Sequence, residues 1–223
     1  MPGEKAPTTI SGPQDFAEAF KVPRETIHRL TRYADLLAHW QKATNLVAPS
    51  TLGLLWSRHF ADSAQLLSLA QNARLWLDLG SGAGFPGLVV AILQAGRPEF
   101  RMHLVESNRK KCAFLAEVVR ATEAPVDIHA MRIEELAESA QSLEPDVVSA
   151  RALAPLPRLL ELASPFFGPG TRGLFLKGRE AQSEINAARA DWDFSMRLHP
   201  SLTAADSHIV EVTGLRPREA TAP

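Results

Sequence analysis

A single cysteine, Cys112, stands among 223 residues, so no disulfide can close within this chain. Such a chain fits a reducing compartment, and a cytoplasmic setting is expected. Charge of one sign is also lacking. Lys and Arg number 24 against 25 Asp and Glu, a formal net charge of −1. A chain this near neutrality has no broad positive field, so contact with nucleic acid requires a local basic patch. No apolar run is long enough to cross a bilayer, and residues 1–13 hold prolines, glycines and threonines without an apolar core. Neither a signal peptide, a membrane span nor a membrane partner is expected. No histidine pair or Cys/His cluster has metal-ligand spacing, so no metal is expected.

What is present is an ordinary globular composition, 45% hydrophobic and 22% charged. The length suits one full domain with an appendage. Residues 1–13 read as a disordered start and 216–223 as a flexible tail. Residues 14–71 read as a helical extension. Ile27, Leu30, Ala34, Leu37 and Trp40 form an apolar stripe at three-to-four spacing. After Thr44-Asn45, a further helix from Pro49 carries Leu52, Leu55, Phe60, Leu66 and Leu67.

Residues 72–215 read differently. Short apolar runs at 75–79, 102–105, 126–130, 146–149 and 173–176 predict strands. Helices are predicted between them at 87–95, 109–121, 133–140, 156–164 and 180–190. The alternation predicts an α/β doubly wound, mostly parallel sheet. The last two runs, 194–198 and 208–213, have no helix between them and predict an antiparallel pair at the edge.

The first strand candidate opens onto the richest stretch: Asp78-Leu79-Gly80-Ser81-Gly82-Ala83-Gly84-Phe85-Pro86-Gly87. Glycines after a strand let the backbone turn tightly and approach a ligand. The second strand candidate ends on Glu106, where a carboxylate can accept from the hydroxyls of a ribose. A nucleoside-containing cofactor follows from the pair. Asp78 favours S-adenosylmethionine over NAD, because a carboxylate there can meet an ammonium group and does nothing for a pyrophosphate. The Asp-x-Gly-x-Gly-x-Gly form with its strand-terminal acid resembles the class I methyltransferases, a Rossmann-like fold. After the third strand, Ile133 can pack on an adenine ring or simply open the next helix. Backbone groups near Glu134 can bond the ring edge.

The loop after the fourth strand reads Ser149-Ala150-Arg151-Ala152-Leu153-Ala154-Pro155. It lacks the Asn/Asp-Pro-Pro-aromatic element of amine methylation. Cys112 lies on an apolar helix face, which suits an inert thiol rather than the nucleophile of carbon methylation. An acceptor with an available lone pair, such as guanine N7, needs neither. Arg151, at the sheet's carboxyl edge, can bond the cofactor carboxylate or guanine O6.

From Tyr33 to Val212 the chain resembles the RsmG, or glucose-inhibited division protein B, family of bacterial small-subunit rRNA guanine-N7 methyltransferases. The resemblance rests on Trp40-Gln-Lys-Ala-Thr-Asn-Leu, Arg58-His59-Phe60-Ala61-Asp62-Ser63 and the Phe85-Pro86-Gly87 ending of the glycine loop. It continues through Glu106-Ser-Asn-Arg-Lys-Lys, Arg132-Ile-Glu-Glu, Ser149-Ala-Arg151-Ala and Leu176-Lys177-Gly178. It implies methylation of N7 of one guanine in the 530 loop of 16S rRNA, within a small ribosomal subunit or an assembly intermediate. It places cofactor contacts on Gly80, Phe85, Ile133, Glu134 and Arg151; Asp78, Gly82, Gly84 and Glu106 complete the expected cofactor set. Thr44 departs from it, standing where an aromatic is common, a matter of packing.

Arg58, His59, Arg109, Lys110, Lys111, Lys177 and Arg179 are candidates for a basic rim that meets RNA phosphates. For residues 109–111 a solvated first helical turn is the competing reading. His59 and Asp62 are expected to pair and dock the extension. A monomer is expected. The competing functions are an NAD(P)-dependent oxidoreductase and a non-catalytic RNA-binding ribosome assembly factor.

Overall fold

A computed structural model describes residues 10–139 and 143–219. The expected start and tail lie partly outside these, as does the end of the 133–140 helix at residue 140. Within them the chain is ordered earlier and later than its composition implies. Ile10 is buried, and α1 (Pro13–Phe20) starts with proline in its first turn and buries Phe16. At the other end the last strand runs to Pro217, because Arg216 still pairs with Asp193 across the ladder.

The stripe at three-to-four spacing forms α2 (Arg24–Trp40), which buries Thr26, Leu30, Tyr33 and Leu37. The next segment differs from the expected single helix. It runs as a 3-10 helix over Pro49–Leu54, a π-helix over Leu55–Ala61, a single α turn α3 (Asp62–Ala64) and a 3-10 helix over Gln65–Leu69. Residues 59–66 are buried without a break. A helix enclosed on all sides has no polar face to keep in register, so packing sets its winding.

The sheet has seven strands: β1 (Leu75–Leu79), β2 (Arg101–Val105), β3 (Val126–His129), β4 (Val147–Arg151), β5 (Arg172–Lys177), β6 (Trp192–Pro200) and β7 (His208–Pro217). Their order is β3-β2-β1-β4-β5-β7-β6. The first five are parallel, and β7 lies antiparallel between β5 and β6. The five helices α4 (Gly87–Leu93), α5 (Arg109–Thr122), α6 (Ile133–Ser139), α7 (Leu156–Ala163) and α8 (Ala181–Ala188) fall where the apolar spacing predicts. The fold is thus the expected α/β, Rossmann-like one.

Strand alternation assigns the two faces. Trp76, Met102, Leu104 and Val147 pack with α4, α5 and the extension. Leu77, Leu79, Val148 and Ala150 pack with α6, α7 and α8. Residues 87–92 of α4 are all buried, caught between sheet and extension, which explains their unbroken apolar run. The chain leaves β1 for β2 on one side and reaches β4 on the other. Such a reversal opens a crevice at the carboxyl ends of β1 and β4.

Candidate active site

Beyond β1 the chain turns through Gly80, Gly82 and Gly84, at φ +64°, +57° and +92°. Gly80 and Gly84 need to be glycine for space as well as for angle. A Cβ on Gly80 would sit 2.6 Å from Leu153 Cδ1, and one on Gly84 would lie 2.8 Å from the Tyr33 hydroxyl. The Tyr33 hydroxyl donates to the Ala83 carbonyl and pins the loop to α2. Phe85 stacks on Tyr33 with ring centroids 5.4 Å apart and lies 4.8 Å from the His59 ring. It thus seats the loop from beneath; its link to the crevice is one wall of a cavity of about 350 Å³ shared with Gly80, Lys111 and Arg151.

Asp78 does not stand at the loop's mouth as expected. Alternation turns it onto the extension face together with Trp76, and it is fully buried. Its Oδ1 accepts from Ser149 Oγ at 2.7 Å and its Oδ2 from the Gly87 amide at 3.3 Å. Ser149 in turn accepts from the Trp76 indole N–H at 2.9 Å. Burial pushes the Asp78 carboxyl up to about 7. It braces the loop and cannot meet a ligand ammonium.

Glu106 does reach the crevice. Its Oε2 accepts from the Gly82 amide at 2.9 Å and its Oε1 from the Asn108 amide at 2.8 Å. Each oxygen keeps a second lone pair. The carboxylate, already oriented, lines a cavity of about 450 Å³ with Gly80, Met131, Ile133, Glu134 and Ala152. That volume lies within the ordinary range for small-ligand sites, about 300–1,000 Å³. Ile133 is both the first residue of α6, packed with Leu136, and part of this wall. The Glu134 side chain pairs with Arg158 at 2.8 Å, and the residue lines the same cavity. An acid with free lone pairs, an apolar wall and a glycine turn suit a nucleoside.

Arg151 ends β4 on the extension face. Its Nη2 lies 3.8 Å from Asp62 Oδ2, and its buried Nη1 has no hydrogen-bond partner among the described residues. Burial lowers its pKa and Asp62 opposes this; a guanidinium stays charged regardless. Arg151 and Asp62 line a cavity of about 410 Å³ with Arg58, Leu153 and His208. Ala152, at φ +51°, touches all three cavities. A non-glycine residue at such an angle marks backbone held by its surroundings.

Two rim candidates lie inside rather than at the surface, His59 on the wall of the 350 Å³ cavity and Lys177 on that of the 410 Å³ cavity. His59 is buried, and its Nε2 lies 2.9 Å from Thr51 Oγ1 rather than against Asp62. Burial first, then Arg151 and Arg58, push its pKa down to about 3, so it is neutral. The winding at residues 55–61 sends Arg58 outward and the neighbouring His59 inward. Lys177 is also internal. Its Nζ donates to the Ala154 carbonyl at 2.6 Å and pairs with Glu184 at 2.7 Å, clamping the loop after β4. Arg58, Arg109, Lys110 and Arg179 are exposed, and Lys111 is half-exposed beside both loop cavities. Asn108 caps the turn that holds 109–111, accepting from the Lys110 and Lys111 amides. Arg179 lies 3.5 Å from Asp206. Cys112 is buried, and its thiol donates to the Glu106 carbonyl.

Sequence reasoning missed Tyr33 and the partners of Asp62. Tyr33 had a signal: a polar tip inside an apolar stripe. Thr203, whose hydroxyl donates to Asp62, is 141 positions away and had none. Among the described residues no three His, Cys, Asp or Glu side chains gather as metal ligands, and no helix is long and apolar enough to cross a membrane.

The family model described as rRNA small subunit methyltransferase G matches residues 26–210. A protein of Parvibaculum lavamentivorans named Ribosomal RNA small subunit methyltransferase G is 51% identical, over 91% of this chain and 89% of its own. One of the same name from Rhodospirillum centenum is 48% identical over 98% of both chains. The fold is shared with a Bacillus cereus O-methyltransferase solved with SAH, at a TM-score of 0.61, 14% identity and coverage of 90% of this chain and 96% of that one. It is shared also with the O-methyltransferase TomG of Streptomyces achromogenes, at 0.56, 16% identity and coverage of 83% and 90%. A family model that spans the first six strands and most of the extension, joined to relatives that share about half the sequence, establishes that this chain belongs to the rRNA small subunit methyltransferase G (GidB) family.

Proposed function

We propose that the enzyme methylates N7 of one guanine in the 530 loop of 16S rRNA, with S-adenosylmethionine as methyl donor. The observation that carries this is the meeting of the Glu106 cavity and the Arg58–Asp62–Arg151 cavity at Ala152. A cofactor site and an acceptor site must share such an edge for a methyl group to pass between them.

S-adenosylmethionine supplies a sulfonium methyl group, an electrophile that needs only a lone pair in line with it. Glu106 accepts from the ribose hydroxyls, Ile133 packs against the adenine, and backbone at Glu134 bonds its edge. Gly80, Gly82 and Gly84 let the loop backbone come close. Arg151 donates to guanine O6 and leaves N7 open. No proton leaves N7, so no general base is required. The neutral, inward-turned His59 accords with that. Asp78, Phe85 and Lys177 hold the loops in place.

Residues 14–71 serve as one wall of the acceptor site, and residues 72–215 carry the cofactor. Arg58, Arg109, Lys110, Lys111 and Arg179 meet phosphates. The substrate is a small ribosomal subunit or an assembly intermediate, the enzyme acts as a monomer, and it works in the cytoplasm.

The test is transfer of labelled methyl to small subunits from cells lacking this protein, with the modified base mapped. One N7-methylguanine in the 530 loop is expected. A label on another atom or another loop would overturn the reading.

A further inference from the structure

Asp62 is held in an unusual way for a buried carboxylate. All its hydrogen bonds fall on one oxygen. Oδ1 accepts from Thr203 Oγ1, from Ser201 Oγ at 3.3 Å and from Gln65 Nε2 at 3.5 Å. Among the described residues Oδ2 has only the Arg151 Nη2 at 3.8 Å, beyond hydrogen-bond length. Arg151 Nη1 is likewise buried and, among the described residues, unpartnered. Both groups line the same cavity. An acceptor that takes no hydrogen bond and a guanidinium with an unpaired N–H therefore stand side by side on the wall of one cavity.

That pairing has a chemical complement. Guanine presents the O6 acceptor beside the N1–H and N2–H donors. Adenine presents an N6–H donor beside the N1 acceptor, the reverse order. We infer that Asp62 selects guanine, its Oδ2 accepting from N1–H while Arg151 donates to O6. This rests on the N7 reading above. N7 lies on the far side of O6 from N1, so both contacts leave it open. Methylation places positive charge on the ring, and a carboxylate at N1–H favours that charge as it develops. Thr203 and Ser201 come from the β6–β7 connection and Gln65 from the extension. The selecting oxygen is thus aimed by two elements outside the cofactor-binding strands.

The substitution Asp62→Asn separates selection from packing. Asn keeps the oxygen that Thr203, Ser201 and Gln65 bond, and turns the free acceptor into a donor. Two substrates are needed: small subunits from cells lacking this protein, with guanine or, by rRNA mutation, adenine at the target. On guanine subunits kcat/KM is expected to fall about tenfold or more. Adenine subunits, a poor substrate throughout, lose nothing, and S-adenosylhomocysteine affinity by calorimetry is unchanged. Asp62→Ser serves in the same assay if the Asn variant does not fold. A folded variant that binds S-adenosylhomocysteine but loses guanine and adenine activity in equal proportion, or loses neither, overturns the assignment. Failure of the unmodified enzyme to methylate guanine N7 would instead overturn the reading beneath it.

Discussion

Toward α6, α7 and α8, β1 and β4 present Leu77, Leu79, Val148 and Ala150. Toward the extension, the same two strands present Trp76, Asp78, Ser149 and Arg151. One face supplies adhesion, which tolerates many apolar side chains of similar size. The other supplies direction. Trp76, Ser149 and Asp78 bond one another at particular angles, and Asp78 also holds the Gly87 amide at the end of the glycine loop. Burying them costs stability that the apolar face must offset. The extension therefore belongs to the site as much as to the core.

The sharpest way to break this contrast is one substitution on each face. Leu160→Ala on the apolar face should lower unfolding free energy by about 2–5 kcal/mol, read by denaturant midpoint, with cofactor affinity unchanged in the folded protein. Tyr33→Phe should cost only about 1–2 kcal/mol, yet weaken S-adenosylhomocysteine binding in calorimetry, because the Ala83 carbonyl loses its donor and the loop its anchor. Equal effects on affinity would erase the distinction.

Next in size is Glu106→Ala, expected to weaken S-adenosylhomocysteine binding about tenfold or more while the thermal midpoint moves little. Unchanged affinity would remove Glu106 from the site.

A pH series gives a smaller effect. Asp78 titrates near 7 when folded against 3.8 for an ordinary carboxyl. The folded state keeps a proton that the unfolded state releases, so this group's contribution to stability falls as pH rises from about 4 to about 7. His59 acts oppositely. Its folded value of about 3 lies below the ordinary 6.5, so its contribution is present above 6.5 and is lost as pH falls toward 3. Chemical denaturation across pH 4–7 should show Asp78→Asn removing the first slope and His59→Gln the second. If neither slope changes, the two groups are not buried as described.

The smallest effect belongs to the surface. Arg109→Ala should leave cofactor affinity intact and lower the salt slope of subunit binding by about one. An unchanged slope removes Arg109 from the rim.

The sequence made β1 legible to the residue, because an apolar run before glycines is a local signal. The antiparallel β6–β7 pair was legible too, though both strands run longer than the expected 194–198 and 208–213, as was Glu106 at its strand end. The winding within residues 49–69 was not legible, since the unbroken burial of residues 59–66 erases the period that reveals a helix. Asp78 and Lys177 were visible as charged residues near loops, but what covers a strand face is decided by distant chain. Asp78 shared its alternation phase with Trp76, a clue that it points inward. The bond from Thr203 to Asp62 leaves no trace at either position.

The Trp76 indole donates to the Ser149 hydroxyl, which donates to Asp78. One hydroxyl thus separates a fully buried fluorophore from a carboxyl that changes charge near neutrality. With Trp40, Trp56 and Trp192 replaced by phenylalanine, the emission of Trp76 alone becomes an optical gauge of the glycine loop's brace.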